Sequence, residues 1–291
     1  HYENWQTTLP NQALVAAVTT FLAHYGHRCA NEGEVNHDRW QQDPTPLFAS
    51  LAAYVQQKPA LPPKRMAEPQ PLLAAVAADQ RKQLQQQLQQ IRQLLLLQSQ
   101  ALHAFAYILA GTRQWALAAA KEALTDHRLQ QVEDVFFFQL EEVKQMMTGE
   151  WNISARTEIQ ATCSQRKTEV ARWQQEAPPT LWIGDSPAYP TQQGLPGASG
   201  QTTGPYYHGD NFLPRQCAGA IIGAQHLDSG WALVLPVARA FVTAQGTPLD
   251  PMIAAAYAWH VPTVLALGGA YHHLVEGVQT TVYGERGQVT Q

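Results

Sequence analysis

A chain of 291 residues, 45% hydrophobic and with a formal charge of -4, is long enough for two domains with cores of their own. Its 19 Lys and Arg are scattered and outnumbered by 23 Asp and Glu, which excludes a basic nucleic-acid groove as the organising feature. Cys29, Cys163 and Cys217 are odd in number and far apart, which excludes a disulfide framework and a zinc ligand spacing; reduced thiols, no metal and no cofactor are expected. The chain opens at His1 without an initiator Met or a secretory leader, so the expectation is a trimmed or processed piece of a longer polypeptide, cytoplasmic in location.

Composition changes sharply once. Residues 1–177 are rich in Ala, Leu and Gln with helical periodicity, 178–205 fill with Pro, Gly, Ser and Thr, and 206–291 carry short β-branched and Ala-rich segments. The reading is α+β overall: an all-helical domain over 1–177, a linker over 178–205 and an α/β domain over 206–291.

In chain order, helices are predicted over Asn11–Tyr25, Pro46–Gln57, Pro71 to about Gly111, Gln114–Leu124 and Arg156–Glu176. The longest begins with Leu84, Leu88, Ile91 and Leu95 on one face and glutamines on the other, a stripe fit to pack inside its own domain or to pair with another chain. The apolar run from Leu94 to Gly111 is interrupted by Gln98, Ser99, Gln100 and His103, so it reads as a buried helix and not as a transmembrane span.

The C-terminal third reads as strand, turn, helix, strand. Phe241 to Gly246 is a buried strand and turn, Asp250 is a good N-cap, Pro251 a good first helical residue, and Val261-Pro-Thr-Val264 a second buried strand. The Asp250 side chain is expected to accept from the free N–H groups of the first helical turn.

These segments resemble the phosphoenolpyruvate synthase, pyruvate phosphate dikinase and rifampin phosphotransferase group. Gly219-Ala-Ile-Ile-Gly-Ala224 is similar to the first buried strand of its mobile, phosphohistidine swivel domain, Asp228-Ser-Gly-Trp231 to its Asp-Pro-x-Trp turn, and Val282 to Val289 to its closing hairpin. The helical half carries further words of the group: Phe21-Leu-Ala-His-Tyr-Gly-His-Arg28, Glu32-Gly-Glu34, Arg39 to Leu47, Val132-Glu-Asp-Val-Phe-Phe-Phe-Gln-Leu140, and Arg166 to Pro179. The resemblance implies a helical segment followed by a swivel domain, in the order of the rifampin phosphotransferases. The group's nucleotide-binding module is not legible in this sequence, so an ATP-grasp-like module would lie upstream or on another chain.

In that family the turn reads Gly-Gly-x-x-Ser-His, and the His carries a phosphoryl group between active sites. Aligned through Val261-Pro262, the Ser falls on Asp250 and the His on Pro251. Proline has no nucleophilic nitrogen, and Asp250 adds negative charge where the helix dipole would favour a phosphate. His260, His272 and His273 are the alternative carriers, against the plainer reading of surface or capping histidines. A joint metal site at His272 and His273 is poor, because adjacent helical residues point about 100° apart.

Tyr25, His27, Arg28, Glu32 and Glu34 form the remaining polar constellation. One reading is a ligand or interface site, with Arg28 pairing a carboxylate or phosphate and His27 titrating; the other is an internal salt-bridge set that fixes a loop. Two functions follow. The first is a degenerate, non-catalytic relative acting as a binding, regulatory or assembly module with a protein partner. The second is the C-terminal portion of an ATP-dependent phosphotransferase whose helical domain holds a small molecule.

Overall fold

The computed structural model describes residues 5–9, 11–59, 69–173, 181–183, 186–188, 193–209 and 217–291. The predicted helix end at Glu176 and the Pro178-Pro179 pair lie outside the described residues. By packing, the chain forms two compact units, one from residues 1–2, 44–105 and 190–291, the other from 3–43 and 106–189.

The helices are α1 (Trp5–Thr8), α2 (Gln12–Tyr25), α3 (Thr45–Gln57), α4 (Gln70–Ala74), α5 (Arg81–Thr125), α6 (Leu140–Thr148), α7 (Arg156–Trp173) and α8 (Pro251–Ala258). Asn11 caps α2 by accepting from the Ala13 N–H at 2.8 Å, and α3 begins behind Pro44 with Pro46 in its first turn. The break expected between Gly111 and Gln114 does not occur. One 45-residue helix runs through it, because a single helical glycine costs only about 1 kcal/mol and good helix formers lie on both sides. Helix α6 was not anticipated; its start is held by the Glu142 carboxylate, which accepts the Gln139 N–H at 2.7 Å.

The expectation that 94–111 is buried is overturned. Every residue from 91 to 102 is exposed, and α5 is long and apolar enough, by length and composition alone, to cross a membrane. Burial on α5 begins only at Ala106 and concentrates toward its C-terminal end. There Ala116, Ala119, Ala120 and Ala123 present a smooth face to Leu129, Val135, Val143, Met146 and Ile159. Small side chains on that face let the neighbouring elements approach closely, which is why a short, Ala-based core suffices.

The sheet holds β3 (Leu195–Pro196), β4 (Gln201–His208), β5 (Ile221–Ala224), β6 (Ala240–Thr243), β7 (Thr263–Leu265), β8 (Gln279–Tyr283) and β9 (Gln288–Thr290), in the order β3-β7-β6-β5-β4-β8-β9. Strands β4 to β7 run parallel, with antiparallel pairings at both flanks. A separate antiparallel pair joins β1 (Leu181–Ile183) to β2 (Ser186–Ala188). All residues of β5, β6 and β7 are buried, which explains why those strands read as continuous apolar runs and not as alternating ones.

The segment 178–205 was expected to be a linker, yet it supplies β3 and most of β4. Its glycines serve close approach: a Cβ at Gly197 would lie 2.6 Å from the Thr263 carbonyl oxygen. The closing hairpin is present as β8 and β9, and the α+β arrangement of helices followed by a mixed sheet holds.

Candidate functional site

Strand β6 leads through a turn into α8 and back through parallel β7, a βαβ unit. Gly246 takes φ +132 within that turn, a conformation that favours glycine. Asp250 is the N-cap and Pro251 the first helical residue, as the sequence indicates. The Asp250 side chain does not cap the helix, however. Its carboxylate turns back to accept the Thr247 N–H at 2.9 Å and the Thr247 hydroxyl at 3.0 Å, while the Ile253 N–H donates to the Asp250 backbone carbonyl at 2.9 Å. Two strong donors on one residue of the turn outcompete the helix N–H groups, one of which Pro251 has already removed. The result is a fixed anionic carboxylate at the mouth of α8, with no imidazole in the turn.

The other histidines of this region lie elsewhere. Helix α8 ends at Ala258, and His260 follows it, exposed, at φ 54. His272 and His273 are both exposed and close the 3-10 helix Gly268–His273. Among the described residues no group of three or more His, Cys, Asp or Glu side chains is placed to hold a metal ion.

The constellation at 25–34 is only partly gathered. Arg28 donates to both carboxylate oxygens of Glu32, at 3.0 and 2.9 Å, and both residues are buried. His27 is buried with its ring edge-on to Tyr107, at 5.2 Å between centroids. Tyr25 is exposed and leans on Phe21, and Glu34 is exposed while its backbone carbonyl accepts from Arg39 at 3.1 Å.

Sequence reasoning passed over the residue that organises this loop. Arg39, 2% exposed, donates to the Glu32 carbonyl at 3.0 Å and to the Cys29 sulfur at 2.7 Å. Arg113 on α5 clamps the same loop through the Val35 carbonyl at 2.9 Å, the Gln42 side chain at 2.8 Å and the Asp38 carboxylate. Arg113 lies more than 70 residues from its partners, so no local pattern announces it. The Arg39-Trp-Gln-Gln42 word contained the only legible hint.

His208, at the C-terminal end of β4, was likewise missed. Its Nδ1 lies 3.1 Å from the Tyr206 hydroxyl and 3.3 Å from the Tyr271 hydroxyl, and its backbone N–H donates to Glu276 at 2.9 Å.

Residues 1–132 match the family model described as the rifampicin phosphotransferase fourth domain, and residues 217–287 match that of the PEP-utilising enzyme mobile domain. No curated protein matches the chain. Among solved structures the chain is similar to an NMR solution structure of Enzyme I, at 11% identity and a TM-score of 0.27, with 72% of this chain and 79% of that one covered. The chain thus carries, in this order, a match to a rifampicin phosphotransferase domain and a match to the mobile domain of PEP-utilising enzymes.

Proposed function

We propose that this chain is a non-catalytic relative of the PEP-utilising phosphotransferases, acting as a binding or assembly module for a protein partner. The observation that carries this reading is the turn into α8. Pro251 stands where the family's carrier His would align, and the Asp250 carboxylate, held by Thr247, occupies the helix mouth. A helix N-terminus attracts phosphate through free N–H groups and its dipole; a fixed anion there repels the same charge. His260 follows the opposite end of that helix, and His272 and His273 are exposed on the 3-10 helix that comes after β7.

The test is intact-mass analysis at neutral pH after incubation with ATP and with phosphoenolpyruvate, each alone and with a nucleotide-binding module of the family. The expected result is no added phosphoryl mass. An adduct that is lost in acid and maps to a histidine overturns the reading. The double substitution Asp250→Ser with Pro251→His is expected to create phosphate acceptance, because it restores both the nucleophile and an uncharged helix mouth.

A second reading has one observation in its favour: the two family matches occur in the order helical segment, then mobile domain. On that reading the chain is the C-terminal portion of an ATP-dependent phosphotransferase, with its nucleotide site upstream or on another polypeptide. It predicts phosphoryl transfer to a small molecule once such a module is supplied.

A further inference from the structure

Between Leu84 and Leu109, α5 repeats every seven residues. One seam position holds Leu88, Leu95, Leu102 and Leu109; the other holds Leu84, Ile91, Gln98 and Phe105. The alternating spacing of four and three is the heptad of a coiled coil, and it keeps one seam directed at a partner over about 39 Å of helix. In this fold the middle of the seam is open: Ile91 is 51%, Leu95 41%, Leu102 38% and Phe105 55% exposed, while Leu84, Leu88 and Leu109 are half-buried. Leu94, Ala101 and Ile108, one heptad apart beside the seam, widen the apolar band, and Leu94 and Ile108 are each 63% exposed.

We infer that the occupant of this face is α5 of a second copy of this chain. The pattern is self-complementary. Set against itself in register, it meets apolar with apolar at every layer except one, where Gln98 faces Gln98 and each side-chain amide can both donate and accept, a device that fixes register. Charge agrees: from 83 to 112 the sole Lys, Arg, Asp or Glu is Arg92, beside the seam and not in it. Two copies therefore meet without a like-charge layer, and a partner recognised by charge finds little to grip. About seven turns of seam reach the scale of a specific interface, roughly 800 Å² per partner. Lipid is the poorer cover, because Gln98, Ser99 and Gln100 interrupt the apolar run at its middle and would sit unsatisfied in hydrocarbon.

The inference rests on the assembly reading above, but its readout is mass in solution and not phosphate content, so either can fail alone. Light scattering on a sizing column, with sedimentation equilibrium across the micromolar range, is expected to give two or more copies of the 32.2 kDa chain. The variant Leu95→Gln with Leu102→Gln keeps good helix formers at exposed positions, so it is expected to retain the far-UV circular dichroism of the parent and to run as one copy. Leu97→Gln, more exposed still but off the seam, is expected to leave the assembly intact. A parent that is monomeric throughout overturns the inference, as does an oligomer unaffected by the seam variant. Monomers that partition into neutral phosphatidylcholine vesicles through α5 also overturn it, in favour of a lipid surface.

Discussion

Arg128 is 3% exposed, and its guanidinium serves several acceptors at once: the Met146 and Trp151 carbonyls, each at 2.8 Å, and the Asp126 carboxylate. It satisfies carbonyls at the end of α6, where a cation also meets the negative end of the helix dipole. Replacing it by Met strands those acceptors, and Arg128→Met is expected to destabilise the fold by about 3 kcal/mol in urea unfolding. The same region sets the acid response. Arg128 holds the Asp126 carboxyl below its usual range, and Arg166, which donates to Glu142 at 2.5 and 2.7 Å, does the same for Glu142. For Asp134 burial pushes upward, but Lys167 and the N–H groups of Gln131 and Gln130 outweigh it and the carboxyl stays low. Because these folded-state values lie below the unfolded ones of about 4, the folded chain binds fewer protons there. The stabilisation is complete above the unfolded range and is lost as pH falls through the lowered values. Melting temperature should drop below about pH 4, and Glu142→Gln should flatten that slope; the partly exposed pair contributes about 1 kcal/mol. Burial pushes the Cys217 thiol up to about 12 and raises Cys163 as well. Both are expected to resist iodoacetamide at neutral pH in the folded chain and to react in denaturant, as peptide mass mapping would read.

At the scale of elements, α5 is built of three differing stretches: a glutamine-rich start, an exposed apolar middle and a buried alanine face. Ala120 is fully buried in the last, among side chains with no room to retreat. Ala120→Leu is expected to destabilise by about 2 kcal/mol through overpacking, measured by thermal or urea unfolding. Gly111 offers the opposite case, since a Cβ there meets nothing within 4 Å and its backbone is helical. Gly111→Ala is expected to raise stability by about 0.7 kcal/mol by the same measurement, because glycine holds more conformational freedom in the unfolded chain. The turn into α8 shows how local chemistry can name an element correctly and its bonds wrongly. Asp250 and Pro251 mark the helix start as expected, yet the carboxylate is taken by Thr247, three residues back. Cap preference predicts which residue stands at a boundary; which donor it engages depends on the competing donors that the turn brings within reach.

Over the whole molecule, the parallel sheet depends on contacts that no periodicity reveals. Gly223 on β5 lies under the Tyr206 ring of neighbouring β4, where a Cβ would overlap the hydroxyl. Gly223→Ala is expected to displace Tyr206 and with it the His208 and Tyr271 cluster, lowering the melting temperature of the sheet-bearing unit. The sequence by itself determined the succession of helices and then strands, the buried β5, β6 and β7, and the βαβ unit around α8. Each is written in local terms: apolar runs, cap residues, glycine and proline at turns. Only the tertiary structure decided that 193–205 joins the sheet, that the middle of α5 stands open, and that Arg113, Arg39 and His208 organise polar clusters. The physical reason is range. Propensity and capping act within one or two turns of chain, whereas burial, strand pairing and long hydrogen bonds join residues that sequence separation leaves unrelated until the chain has packed.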